Sequence, residues 1–311
     1  MGVRKISSTM QDSVLLDLPT PLAIVCHDAG AANIIFAWMR ELACAGKIAP
    51  GQWRLFLEGP AATLWKQVPL DIPCCDTLTD ALSGAGALLS GTGWASTLEH
   101  DARRLARKRG IFSSAVIDHW VNYRERFVRN GETVLPDEIV VTDEYALSIA
   151  QRSFAGLAVR QRPNAYLRQI VESIPPLTPD IKDILYALEP IRDSWGRAQG
   201  GEFQALTYFL ENLDKLGLQG GEVVRLRPHP SESPEKYFSS LGRVGQVNIE
   251  MSTAASLGEA IGQARWVVGA ETFAMVVGLE AGRKVMSTLP PWAHRCRLPH
   301  AEILSLRDMV G

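Results

Sequence analysis

Short apolar runs alternate with amphipathic stretches along most of the chain. Pro21–Cys26 (PLAIVC), Trp53–Glu58 (WRLFLE), Ala87–Ser90 (ALLS), Ser114–Ile117 (SAVI) and Glu138–Thr142 (EIVVT) read as strands. Their length and continuous apolar character suit strands buried on both faces. Ala31–Cys44, Ala61–Gln67, Ser96–Arg109 and Glu144–Phe154 carry helical patterns between them. The basic residues Arg103, Arg104, Arg107 and Lys108 are expected to form a solvated helix face. Residues 1–18 read as a loosely held leader. After Val159 the texture changes: Pro163, Pro175, Pro176 and Pro179 mark a connecting segment.

A second block follows. Asp183–Ala187 (DILYA), Val223–Leu226 (VVRL), Trp266–Val268 (WVV) and Lys284–Ser287 (KVMS) read as strands. A polar turn at Glu189–Gly201 and helices at Phe203–Leu216, Leu257–Ala264 and Phe273–Ala281 lie between them. Alternating strands and helices predict an α/β fold with parallel sheets. The simplest architecture is two Rossmann-like domains facing a cleft, residues 1–160 and 184–311, joined by a linker at 161–183.

Composition narrows the function classes. The 311 residues are 46% hydrophobic and 21% charged, as in an ordinary globular protein, and the length suits two domains. A net charge of -2 offers no electrostatic footprint for nucleic acid. Five cysteines, with Cys74 and Cys75 adjacent, form no disulfide framework. No apolar run approaches the ~20 residues that span a bilayer. The opening MGVRKISSTMQDS lacks a signal-peptide core, and Ile6 departs from the myristoylation pattern. The expected location is cytoplasmic.

Candidate chemistry gathers at strand ends, where parallel sheets bind ligands. His27-Asp28-Ala29-Gly30 follows the first strand; it is either a ligand loop or a tight turn N-capped by Asp28. Gly91-Thr92-Gly93 either offers backbone N–H groups to a sugar or phosphate or is a plain turn. Asp118-His119-Trp120-Val121-Asn122-Tyr123, followed by Arg126, joins an acid to sugar-binding residue types. Trp120 and Tyr123 have faces that stack on sugars, Asn122 and Arg126 bind hydroxyls or carboxylates, and Asp118 can take a proton from an attacking hydroxyl. The structural alternative buries Trp120, Tyr123 and Phe127 in the core with Asp118 as a cap. In the second block, Arg227-Pro228-His229-Pro230 and Gly269-Ala270-Glu271-Thr272 leave strand ends and suit a phosphate and a sugar hydroxyl. No D-x-D pair is present to hold a metal on a diphosphate, and no zinc spacing occurs.

These features resemble glycosyltransferases of the two-Rossmann (GT-B) type. The nearest look-alikes are bacterial sialyltransferases and capsule-polysaccharide transferases that use CMP-linked nonulosonic acids or Kdo. The resemblance rests on a basic-x-His-Pro element, Arg227–Pro230, and on a strand–small-residue–helix–strand element, Val268–Val285. It implies that Arg227, His229, Pro230, Gly269, Glu271 and Thr272 bind the donor. It departs at Glu271-Thr272, where those families carry a serine pair, and at Asp118-His119-Trp120, where only the acid of an acidic-acidic-glycine motif matches. The expected reaction is metal-independent transfer from a nucleotide sugar, CMP-linked by preference, to a glycan or protein acceptor. Asp118 is the expected base, with His27, Gly30, Thr92, Gly93, His119, Trp120, Asn122, Tyr123 and Arg126 on the acceptor. Two alternatives remain: a nucleotide-sugar hydrolase or 2-epimerase, for which His27-Asp28 matters more, and a non-catalytic binding protein.

Overall fold

The computed structural model describes residues 14–49, 51–218 and 220–310. The chain divides into two compact units, Met1–Leu167 and Arg168–Gly311.

Unit 1 runs α1 (Val14–Asp17), β1 (Leu22–Cys26), α2 (Ala29–Cys44), β2 (Trp53–Leu57), α3 (Gly59–Trp65), α4 (Leu78–Ala81), β3 (Ala87–Ser90), α5 (Leu98–Lys108) and β4 (Phe112–Val116). A small hairpin, β5 (Val128–Arg129) with β6 (Glu132–Thr133), precedes β7 (Glu138–Val141), α6 (Glu144–Ser153), β8 (Ala158–Gln161) and α7 (Ala165–Ser173). Six parallel strands lie in the order β2-β1-β3-β4-β7-β8. Every residue of β1 is buried because successive side chains serve opposite layers. Leu22, Ile24 and Cys26 pack with Ile34, Ile35 and Trp38 of α2. Ala23 and Val25 pack with Leu98, Ala102 and Ala106 of α5 on the other face.

Unit 2 runs β9 (Ile184–Ala187), α8 (Gly201–Glu211), β10 (Val223–Arg227), β11 (Gly242–Val244), β12 (Val247–Met251), α9 (Leu257–Gly262), β13 (Trp266–Gly269), α10 (Phe273–Glu280), β14 (Lys284–Ser287), β15 (Leu304–Ser305) and α11 (Leu306–Val310). Its sheet order is β11-β12-β10-β9-β13-β14-β15, parallel except for β11. Arg227, Ala187, Gly269 and Ser287 pair side by side in one row at the carboxyl edge.

Three expectations change. The end of the supposed leader is structural: Leu15 and Leu18 are buried in the same layer as Leu22 and α2, while residues 1–13 lie outside the described residues. The segment expected as a linker holds the end of β8 and helix α7, and the division between units falls inside α7. The helix expected over Phe203–Leu216 stops at Glu211; a 3-10 turn at Leu213–Leu216 follows and ends at left-handed Gly217 (φ 63°). Among the described residues no helix is long and apolar enough to cross a membrane.

Candidate functional site

In each sheet the chain reverses its direction of winding at one place: between β1 and β3 in unit 1, and between β9 and β13 in unit 2. The carboxyl ends at such a switch point leave a crevice, since the two connecting loops depart toward opposite sides.

In unit 1 the crevice is lined by the loops after β1 and β3. His27 Nδ1 lies 2.6 Å from Asp28 Oδ1. Asp28 stands at the N-cap position of α2, but its carboxylate makes no cap bond. Its Oδ2 instead accepts the Trp94 N–H at 2.7 Å. The capping explanation for Asp28 therefore fails, because the carboxylate joins two loops rather than closing its own helix. Gly93 permits this approach, since a Cβ there would overlap Asp28 Oδ2. With Nδ1 committed to Asp28, the ring presents Nε2, which faces Gly59.

Four backbone N–H groups around this crevice, those of His27, Gly91, Gly93 and Trp94, are taken. Glu99, on the first turn of α5, accepts the His27 N–H through Oε1 (3.0 Å) and the Gly93 N–H through Oε2. Gly91 N–H donates to Val25 O at 3.3 Å. Of the two readings of the Gly91–Gly93 turn, a sugar or phosphate cradle or a plain turn, the cradle is disfavoured, since Gly93 N–H already holds the Glu99 carboxylate and Gly91 N–H a backbone carbonyl. Glu99 is only 2% exposed, and burial raises its pKa against the opposing pull of its two N–H donors. One helical turn later, Arg103 is 1% exposed and donates to Ser90 Oγ, Gly91 O and Val134 O. Burial lowers the Arg103 pKa to about 10. The solvated-face expectation fails for Arg103: its carbonyl partners compensate an ion that would otherwise be costly to bury.

Asp118 follows β4 and reaches the same crevice. Arg126 donates to Asp118 Oδ1 (2.8 Å), to Thr92 Oγ1 (3.2 Å) and to Val121 O (3.2 Å). Thr92 in turn donates to Val116 O at 3.0 Å. Asp118 Oδ2 lies where a side chain on Gly30 would stand, so the close approach of β4's loop to α2 requires glycine. The sequence-predicted residues His27, Asp28, Gly30, Thr92, Gly93, Asp118 and Arg126 therefore come together.

The aromatic residues of that loop do not. Trp120 and Tyr123 are 6% and 4% exposed. Trp120 donates its indole N–H to Asp143, the N-cap of α6, and Tyr123 donates to Ala146 O and packs beside Phe154. Burial drives the Tyr123 pKa upward. Their rings belong to the core, which corrects the expectation of sugar-stacking faces. His119 sits edge-on to Trp120, and Asn122 is an exposed turn residue with φ 59°. The open aromatic here is Trp94, 47% exposed, with the guanidinium groups of Arg126 and Arg129 5.9 and 5.8 Å from its ring.

In unit 2, Arg227 ends β10 and donates to Ala254 O at 2.8 Å. His229 and Pro230 are exposed. His229 Nδ1 accepts the Ser231 N–H (3.2 Å) and lies 2.7 Å from Ser231 Oγ, which leaves Nε2 as the ring's donor when neutral. At the switch point, Glu189 Oε1 accepts the Glu271 N–H at 2.7 Å. Burial pushes the Glu189 pKa up to about 7. The Glu271 carboxylate is gripped by the Arg297 side chain and N–H and by His294 (3.2 Å). Burial alone would raise its pKa; the Arg297 bonds outweigh that and hold it low. Thr272 caps α10 through Ala274 N–H. Of the expected donor turn, Glu271 is thus engaged in holding the 294–297 loop. Among the described residues no group of three or more His, Cys, Asp or Glu is arranged to hold a metal ion.

No protein-family model and no curated protein matches the chain. Solved structures do. UDP-GlcNAc 2-epimerase from Neisseria meningitidis, bound to UDP-GlcNAc, matches with TM-score 0.53 and 12% identity over 82% of this chain and 78% of that one. The Methanocaldococcus jannaschii UDP-GlcNAc 2-epimerase gives 0.55 and 11% over 86% and 83%. S. aureus MnaA, in a co-structure with UDP, gives 0.57 and 10% over 86% and 78%. At these identities the likeness is one of fold, and the chain has the α/β, two-domain Rossmann-type architecture of the GT-B kind.

Proposed function

We propose that this chain is an enzyme acting on a nucleotide sugar, with the acid–base group in unit 1 and the nucleotide held by unit 2. The observation that carries the reading is the His27–Asp28 pair at the switch point of unit 1, with Asp28 clamped on its other oxygen by the Trp94 N–H. A carboxylate that fixes one imidazole nitrogen leaves the other to accept or return a proton, the arrangement of an oriented general base. In transfer, the acceptor hydroxyl gives its proton to His27 Nε2 as its oxygen bonds the anomeric carbon. The bond from that carbon to phosphate oxygen breaks, and the nucleotide leaves with the electron pair. In unit 2, Arg227 offers a positive charge and His229 an N–H donor of the kind a nucleotide phosphate binds. The base is placed on His27 rather than Asp118 because a carboxylate orients the His27 ring, whereas the Asp118 carboxylate is itself paired with the Arg126 guanidinium.

The nucleotide goes to unit 2 because the N–H groups of His27, Gly93 and Trp94 already hold carboxylates, which an incoming phosphate would have to displace. A pyrimidine nucleotide is proposed. CMP follows from the resemblance at Arg227–Pro230, and UDP from the ligands of two neighbours of the same fold. Those neighbours also favour a second reading, 2-epimerisation, in which a base removes the proton from C2 of the sugar.

The test is incubation with UDP-GlcNAc and with CMP-N-acetylneuraminate, in D2O, with and without lactose. Transfer releases nucleotide only with acceptor, hydrolysis releases it without, and epimerisation puts deuterium at C2. Tight binding with none of these products would make the chain a binding protein and overturn the reading.

A further inference from the structure

Glu99 lies outside every residue expected at the site, yet it touches both loops that build it. We propose that Glu99 is a positioning residue for the His27–Asp28 pair, holding the β1 and β3 loops in the one spacing at which Asp28 can orient the imidazole. The proposal rests on the reading of that pair as the acid–base group.

Two routes lead from one carboxylate to the pair. Oε1 takes the N–H of His27 itself, and Oε2 takes the N–H of Gly93, next to the Trp94 whose N–H clamps Asp28. Asp28 is therefore strung between two segments whose separation is fixed by the reach of Glu99. The β3 loop is held from the same helix a second time, since Arg103 grips Ser90 Oγ and Gly91 O. A Cβ on Gly91 would overlap Glu99 Oε1, so the carboxylate fills the space under the turn completely. An acid on a helix's first turn has a simpler use against the helix dipole. Glu99 goes further: its oxygens bond loops of β1 and β3 rather than the N–H groups of α5.

Glu99→Gln keeps shape but must set an amide NH2 against one of the two N–H groups. Glu99→Asp keeps charge but is too short to reach both. In the wild-type chain, 15N spectra of the His27 ring should show one neutral tautomer, with the proton on Nδ1. Both variants should lose that single tautomer while circular dichroism stays unchanged. For whichever nucleotide sugar turns over, kcat should fall by about 100-fold, the order expected for a misplacement near 1 Å, with KM little altered. A folded Gln or Asp variant with the wild-type ring spectrum and kcat would overturn the proposal. If the Gln variant does not fold, the Asp variant decides by the same two readouts. If the wild-type chain turns over no nucleotide sugar, the acid–base reading falls by itself, and the ring spectrum still decides whether Glu99 sets the tautomer.

Discussion

Glu189 offers a stability prediction whose sign and size follow from its surroundings. Burial raises its pKa to about 7 from an ordinary 4.5, although the Glu271 N–H it accepts pulls the other way. Between those values the folded chain binds more protons than the unfolded one. Stability therefore falls as pH rises from about 4.5 to about 7 and levels off above. The full difference is about 3 kcal/mol, or roughly 6–12 °C in melting temperature for a unit of this size. Glu271 does not mask the effect. Its pKa is held low by Arg297, so its stabilisation is complete above the ordinary value and is lost only on acidification below it. Glu189→Gln keeps an amide oxygen for the Glu271 N–H and removes the titration. Calorimetry near pH 5 should find the variant and wild-type chains alike, and near pH 8 the variant should melt higher. Parallel pH dependence in the two proteins would refute the reasoning.

Other expectations are quicker to state. Gly30→Ala drives a methyl into Asp118 Oδ2 and should cost about 1–3 kcal/mol of stability, read by denaturant titration, with nucleotide affinity unchanged because the site of strain lies in unit 1. His229→Ala should weaken nucleotide binding by about 1.5–3 kcal/mol, and calorimetry finding equal affinity would remove His229 from the donor site. Turnover should survive EDTA, given the missing D-x-D pair and the cation at Arg227; activity lost and then restored by Mg2+ or Mn2+ would reverse that expectation.

The fold was legible where burial is complete. The inner strands β1, β3, β7, β9 and β13 carry nearly continuous apolar runs because both faces are covered, and their ends placed His27, Thr92 and Gly269 at the carboxyl edges. Two incompletely buried strands were lost. β8 (AVRQ) is largely exposed at the sheet edge, and β12 (VNIEM) alternates buried and exposed residues over only five positions. The same limit hid α1, whose Leu15 is buried although its four residues are too few to show a helical period.

The site was legible at strand ends and hidden on α5. The basic residues, Arg103 among them, suggested a wet face and Glu99 was not singled out, but Glu99 and Arg103 share the side of the helix that holds Leu98, Ala102 and Ala106 in the core. Spacing by four along that face was the available signal: an acid and a base placed one turn apart on an apolar stripe must meet polar partners inside. Those partners are the loop N–H and C=O groups at the ends of β1 and β3. The loop after β4 erred the opposite way. Trp120, Tyr123 and Phe127 follow a helix-like spacing of three and four, and all three are buried. Residue type argued for a sugar there, while periodicity argued for the core, and burial followed periodicity. The two switch points also differ in a way no motif records. In unit 1 a helix sends Glu99 into the loop N–H groups, whereas in unit 2 the strand's own loop sends Glu189, whose pKa stands near neutrality.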